Sequence, residues 1–281
     1  QRGLLCGARR PRHGVRLSVP GGQVRFRRPV PSFSAPLRLQ NDQDMAFSKA
    51  PVPILWFVSS SGDLLGFTYI PEQAVGSWHR HTTDGRFESC CCVAEDQEDV
   101  LYCVIRRTVN GQDVRYIERM ATRQIDTVED GFFVDCGGTY RGTPATHISG
   151  LDWLEGKTVS ILADGSVHPQ RVVTDGSIEL DNPASVVHVG LPIDAEICTL
   201  PIAIGQMEGF GVGAKKNIVK AFIKVYASRG LFVGPDVDNV VEWKQRTTES
   251  PGSPIRLASA DVSIVPRGKN SGGRAADDSS I

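Results

Sequence analysis

Asn110-Gly111 sits between two alternating runs, DVLYCVIRRTV (Asp99–Val109) and QDVRYIERM (Gln112–Met120). Asn-Gly in that setting is the strongest short-range hairpin signal, because both turn positions require positive φ. The same grammar recurs along most of the chain. ILWFV (Ile54–Val58) meets a turn at Ser61–Asp63 and continues as LLGFTY (Leu64–Tyr69). GSWHRH (Gly76–His81) turns at Asp84-Gly85 into RFESCCCV (Arg86–Val93). Period two is the mark of half-buried strands, and no helix longer than two turns is expected. Asp126–Tyr140 is less regular and reads as a linker with a turn at Asp135-Cys136-Gly137-Gly138.

A second series of strands follows. ATHISGL (Ala145–Leu151), KTVSILA (Lys157–Ala163), SVHPQRVV (Ser166–Val173), SIEL (Ser177–Leu180) and SVVHVGL (Ser185–Leu191) are separated by Asp164-Gly165, Asp175-Gly176 and an Asp-Asn-Pro stretch. The expected fold is all-β: an antiparallel propeller-like or meander sheet, then a small β-barrel or sandwich module. The expected division is 1–43 disordered or spurious, 44–125 the meander, 126–144 a linker and 145–204 the small module. A β-hairpin region at 205–266 and a disordered tail at 267–281 complete it. The hairpin region contains the longest alternating run, NIVKAFIKVYAS (Asn217–Ser228). Val219, Ala221, Ile223 and Val225 face one way. Lys220, Phe222, Lys224 and Tyr226 face the other, a mix suited to a subunit interface.

The net charge of −1 conceals an asymmetry. Residues 1–40 hold nine arginines and no acid, leaving 22 basic against 32 acidic residues, a net of −10, for 41–281. An Arg/Pro/Gly-rich run without periodicity buries no core. It reads as a nucleic-acid-binding arm, a transit peptide, or sequence translated from outside the true gene. It has no apolar h-region, so no signal peptide is expected. No stretch is long and apolar enough to be expected to span a membrane as a helix. The seven cysteines follow no metal spacing and are expected to be reduced thiols.

Candidate chemistry is sparse. His79 and His81, at i and i+2 on a strand, point to one face, as two metal ligands would, but no third ligand follows at useful spacing. Cys90–Cys92 fit a buried strand filled with small hydrophobes. Asp164 and Asp175 are imaginable as an acid–base pair, but each precedes a glycine in an expected hairpin turn. Gly205–Gly213 resembles a phosphate loop in glycine count alone. Ser149 and Ser160 lack the elbow pattern of a hydrolase. No catalytic, cofactor or metal site is therefore expected.

PILWFVSSSGDLLGFTYIPEQAVGSWHRHTTDGRFESCCCV (Pro53–Val93), VRYIERM (Val114–Met120) and GLDWLEGKTVSILADGSVHPQRVV (Gly150–Val173) together resemble a family of tailed-bacteriophage and prophage virion proteins. Its members are associated with an FCCH-like domain and look like the tail nozzle, or tail tubular protein B, which also stabilises packaged DNA. VVHVGLPIDAEICTLPI (Val186–Ile202) and KKNIVKAFIKVYASRGLFVGP (Lys215–Pro235) extend the resemblance, which covers about four-fifths of the chain. Full members are longer, so a fragment is expected. The resemblance implies a structural virion component assembled in the bacterial host cytoplasm, in a homo-oligomeric ring of six beneath the portal and adaptor. Duplex DNA would pass through its channel without sequence recognition, and no membrane or cofactor is implied. An acidic body would let the duplex slide rather than bind. A carbohydrate- or receptor-binding module, with Trp78 or Trp153 as its aromatic platform, is the alternative. A tail-associated hydrolase is the third.

Overall fold

The computed structural model describes residues 14–17, 42–73, 75–198, 218–235, 239–245, 248–250 and 253–266. Every regular element among them is a strand or a single 3-10 turn, and every strand pairing is antiparallel. The fold is all-β.

After β1 (Gly14–Leu17), four strands form a meander: β2 (Asp42–Ser48), β3 (Ile54–Ser59), β4 (Leu64–Ile70) and β5 (Val75–His81). This is sheet I, ordered β2-β3-β4-β5. Sheet II is a second meander, β6 (Arg86–Glu95), β7 (Glu98–Val109) and β8 (Gln112–Arg119). Asn110 and Gly111 have φ of 50° and 76°, as the hairpin between β7 and β8 requires. The inner faces of sheets I and II share one core, built on Ile54, Trp56, Val58, Leu64, Phe87, Cys90, Leu101, Cys103 and Ile105. Burying such a set of side chains stabilises by ~1.5–3 kcal/mol each before chain entropy is subtracted.

Sheet III contains β9 (Val134–Ser149), β10 (Thr158–Ala163), β11 (Ser166–Val172) and β12 (Ser177–Pro192), ordered β11-β10-β12-β9. It wraps a core that includes Leu154, Val159, Ile161, Val173, Val187 and Val189. Asp164-Gly165 and Asp175-Gly176 turn with positive φ at all four residues, as the sequence predicts. The last strands are β13 (Ala195–Cys198), β14 (Ala221–Ser228), β15 (Leu231–Gly234), β16 (Val241–Glu242) and β17 (Ala258–Ile264). β14 pairs with β17 around Val225, Leu231, Val233, Val262 and Ile264. Among the described residues no sheet closes into a barrel and no propeller forms.

Three local expectations change. Asp135–Gly138 is not a turn but part of the 16-residue β9. Its glycines serve a close approach: a Cβ on Gly137 would lie 2.4 Å from the Val189 carbonyl oxygen, and one on Gly190 2.7 Å from that of Asp135. SIEL and SVVHVGL are one strand, β12, with register irregularities between Glu179 and Val186 where the Asp-Asn-Pro stretch falls. Within the arginine-rich segment, Gly14–Leu17 forms a strand between β13 and β15, so 1–43 is not without structure throughout. A ladder is made by the backbone, and composition does not forbid it.

Candidate functional site

His79 and His81 do share the inner face of sheet I, as their spacing predicts. His79 lies opposite Gly66 across the β4–β5 ladder, and a Cβ there would meet the imidazole Cε1 at 2.0 Å. Only glycine leaves room for that ring. His79 Nδ1 and His81 Nε2 share a hydrogen bond of 2.8 Å, and Thr68 Oγ1 lies 3.3 Å from His79 Nε2. Trp56 packs against both rings at centroid distances of 5.4 and 5.5 Å. Burial first, then the Arg123 cation, lowers the His79 pKa to about 4. Burial, His79 and Arg123 lower that of His81 to about 3. The pair is neutral, and each ring engages one nitrogen with the other. Among the described residues no group of three or more His, Cys, Asp or Glu could hold a metal ion.

The cysteine run alternates as a strand must: Cys90 buried, Cys91 exposed, Cys92 half-buried. Burial raises the Cys90 thiol to about 12 and the Cys92 thiol to about 11, so neither is a thiolate at neutral pH. Asp164 sits at φ 46° in its turn, and its carboxylate accepts the backbone N–H groups of Ser185 and Val186 on β12, at 3.0 and 2.8 Å, a structural bond across the ladder. Asp175 sits at φ 52° in its own turn. Ser160 is buried and accepts a hydrogen bond from Gln170. Ser149 ends β9 beside Ser177. Gly205–Gly213 lies outside the described residues. A cleft of about 510 Å³ lies between sheet III and the segment around Arg229 and Glu249. Its charged groups are engaged, Arg229 with Glu249 and Asp181 with Arg171.

Of the two tryptophans considered as platforms, Trp153 is structural. Its Nε1 donates to the Cys136 carbonyl at 2.9 Å and its ring lies on Gly138. Trp78 belongs to a surface that sequence reasoning missed. On the outer face of sheet I the register aligns Met45–Phe57–Leu65–Arg80 and, beside it, Phe47–Leu55–Phe67–Trp78. The Trp78 ring is 4.6 Å from Phe67 and 5.7 Å from Phe57, and Phe67 stacks on Tyr69 at 5.9 Å. Phe57 is buried by these neighbours yet joins none of the three cores, while Met45 and Phe47 stay 62% and 54% exposed. The signal was present: ILWFV and LLGFTY are nearly continuous apolar runs, the pattern of a strand with two apolar faces.

β14 carries the second such surface. Val225 enters the core with Ile223 packed beside it, while Phe222 and Tyr226 are 76% and 86% exposed. Lys224 is exposed on the same face, and the Lys220 ammonium lies 4.9 Å from the Phe222 ring centroid. No protein-family model matches the chain, and a search of curated proteins returns no similar one.

Proposed function

We propose that this chain is a structural component of a short phage tail, the nozzle through which DNA leaves, and that it acts by assembly rather than catalysis. The observation that carries this reading is a pair of unlike faces with exposed large side chains, an apolar one on sheet I and one of Phe, Tyr and Lys on β14. Large exposed apolar patches mark interaction surfaces. A head-to-tail ring needs two unlike faces on each copy, whereas a two-fold dimer needs one that matches itself. In this reading the occupant of each face is a second copy of the chain, with Phe222, Lys224 and Tyr226 on the assembly strand and Lys220 immediately before it. The net charge of −10 outside the arginine-rich segment suits a channel that duplex DNA crosses without sequence recognition. The resemblance at Pro53–Val93 and Gly150–Val173 supports a six-fold ring joined to adaptor and portal proteins. In the same reading sheets I and II are the propeller-like meander region and sheet III belongs to the small FCCH-like barrel module.

Two measurements test this. The product should be present in purified virions. The recombinant chain should form oligomers that a Phe222→Ser/Tyr226→Ser variant reduces to monomers, with the melting midpoint moved by no more than about 2 °C, since both side chains are exposed. Absence from the particle, or turnover of a substrate that depends on His79, His81 or Cys90, would overturn it. A second reading, a carbohydrate- or receptor-binding tail module, is favoured by the outward cluster of Phe67, Tyr69 and Trp78. Glycan-array binding lost in Trp78→Ala would select it.

A further inference from the structure

Cys90 and Cys103 stand directly opposite each other across the β6–β7 ladder. Antiparallel partners alternate between hydrogen-bonded pairs, with Cα atoms about 5.5 Å apart, and non-hydrogen-bonded pairs, about 4.5 Å apart. Two observations place this pair in the second class. The Cys90 N–H donates to the Asp44 carboxylate at 3.0 Å, away from β7. On β7, Leu101 accepts the Met120 N–H at 2.8 Å, so the amides of Leu101 and, two residues on, Cys103 point toward β8. A separation of about 4.5 Å lies within the ~4.4–6.8 Å range of disulfide Cα atoms. Both side chains enter the same core, at 6% and 5% exposure. The neighbouring thiols are differently placed: Cys91 opposes Tyr102 and Cys92 opposes Leu101.

We infer that Cys90 and Cys103 are a redox-convertible pair that closes into an intrachain disulfide when a small-molecule disulfide of the glutathione type reaches them. The oxidant's S–S bond breaks and one Sγ–Sγ bond forms. The two thiol protons and two electrons leave with the oxidant, which becomes two thiols. Burial holds both thiols protonated, the Cys90 thiol at about 12 and the Cys103 thiol higher still. Exchange proceeds through the thiolate, so closure is slow in the folded chain and fast while the chain folds. Folding in a reducing compartment leaves a dithiol, and folding in an oxidising one closes it.

The experiment is to refold the full chain at pH 8.5 with oxidised and reduced glutathione, block remaining thiols and digest after glutamate. Cleavage at Glu95 and Glu98 separates the two cysteines. A Cys91→Ser/Cys92→Ser variant leaves Cys90 as the sole partner on β6. The expected product is one peptide pair joined Cys90 to Cys103, absent in Cys103→Ser. Its melting midpoint should lie above that of the reduced chain by about 5–10 °C. The inference is overturned if both thiols remain alkylatable after refolding in the oxidant. It is equally overturned if bridges form only between chains or through Cys91, or if the bridged chain loses cooperative unfolding.

Discussion

Sheets I and II contribute to the same core and turn opposite chemistries outward. Outside sheet II, Glu88 pairs with Arg115 and Arg106, Asp113 with Arg106, and Glu95 with Arg119 and the Tyr102 hydroxyl. Ile117 and Val93, 78% and 45% exposed, are the large apolar residues that reach the surface among these ions. Outside sheet I the equivalent positions are Met45, Phe47, Leu55, Phe57, Leu65, Phe67, Tyr69 and Trp78, with Arg80, paired to Asp63, as the one ion of the two rows. A face made of paired ions is complete in water. A face made of aromatic rings buries itself partly, as Phe57 shows, and leaves the remainder for something else to cover. The difference separates the side of this sandwich built for solvent from the side built for contact.

Acid should expose the comparison most strongly. A histidine in the unfolded chain takes its proton near pH 6.5, whereas His79 resists to about 4 and His81 to about 3. A lowered folded pKa makes the stabilisation complete above pH 6.5. It drains as pH falls toward 4, by about 3 kcal/mol for His79 alone, with His81 adding to it. In a His79→Gln/His81→Gln variant, denaturant midpoints should fall much less over that window, the remainder coming from His188, which burial also holds below its ordinary value. Identical pH curves for variant and parent would refute the assignment to sheet I. The acids of sheet II act lower. Arg115 and Arg119 hold Glu88 and Glu95 below the ordinary carboxylate value, so their contribution is lost only as pH drops through and below about 4.5.

Next in size is the aromatic face itself. Phe57→Ala should cost about 3 kcal/mol by urea unfolding, because a buried ring is removed from a cluster that cannot close over the gap. A loss below about 1 kcal/mol would mean that Phe57 is sheltered by neighbours it does not support. Smallest is the ion ladder. Arg106→Ala or Arg115→Ala should change stability by no more than about 0.5 kcal/mol, and less in high salt. If either costs as much as Phe57→Ala, sheet II is not the solvent face.

Much of this arrangement was legible in the sequence, for reasons particular residues make plain. Asn110-Gly111, Asp164-Gly165 and Asp175-Gly176 fix their hairpins locally, through backbone conformations that few other pairs adopt. The alternation of Ala221–Tyr226 reports which side of β14 meets the core, whereas Val219, expected on that side, precedes the strand and is 71% exposed. Gly137-Gly138 misled, because glycine serves both a turn and a close strand approach, and only the partner strand distinguishes them. His79 and His81 were correctly placed on one face. Their neutral state and packing draw on Trp56, Thr68 and Arg123, which come from other parts of the chain. Arg107 gave the least warning. Its parity on β7 points it inward, at 3% exposure, where an unpartnered charge would be prohibitive.

Arg107 has partners on both sides of a boundary. Its guanidinium meets Glu118 at 2.5 and 2.7 Å and the Asp84 carbonyl at 2.9 Å within the first sandwich, and Asp135 at 3.3 Å on β9. Thr83 donates to the same Asp135, and Lys157 reaches Asp84 at 2.8 Å. The joint between sheet II and sheet III is thus fastened by ions and hydroxyls rather than welded by hydrocarbon. If it parts, water can take over every one of these bonds, and Arg107 keeps Glu118 as its counter-ion. Each side of the joint keeps a hydrophobic core of its own, so parting it would trade these polar bonds for bonds to water and leave both cores closed.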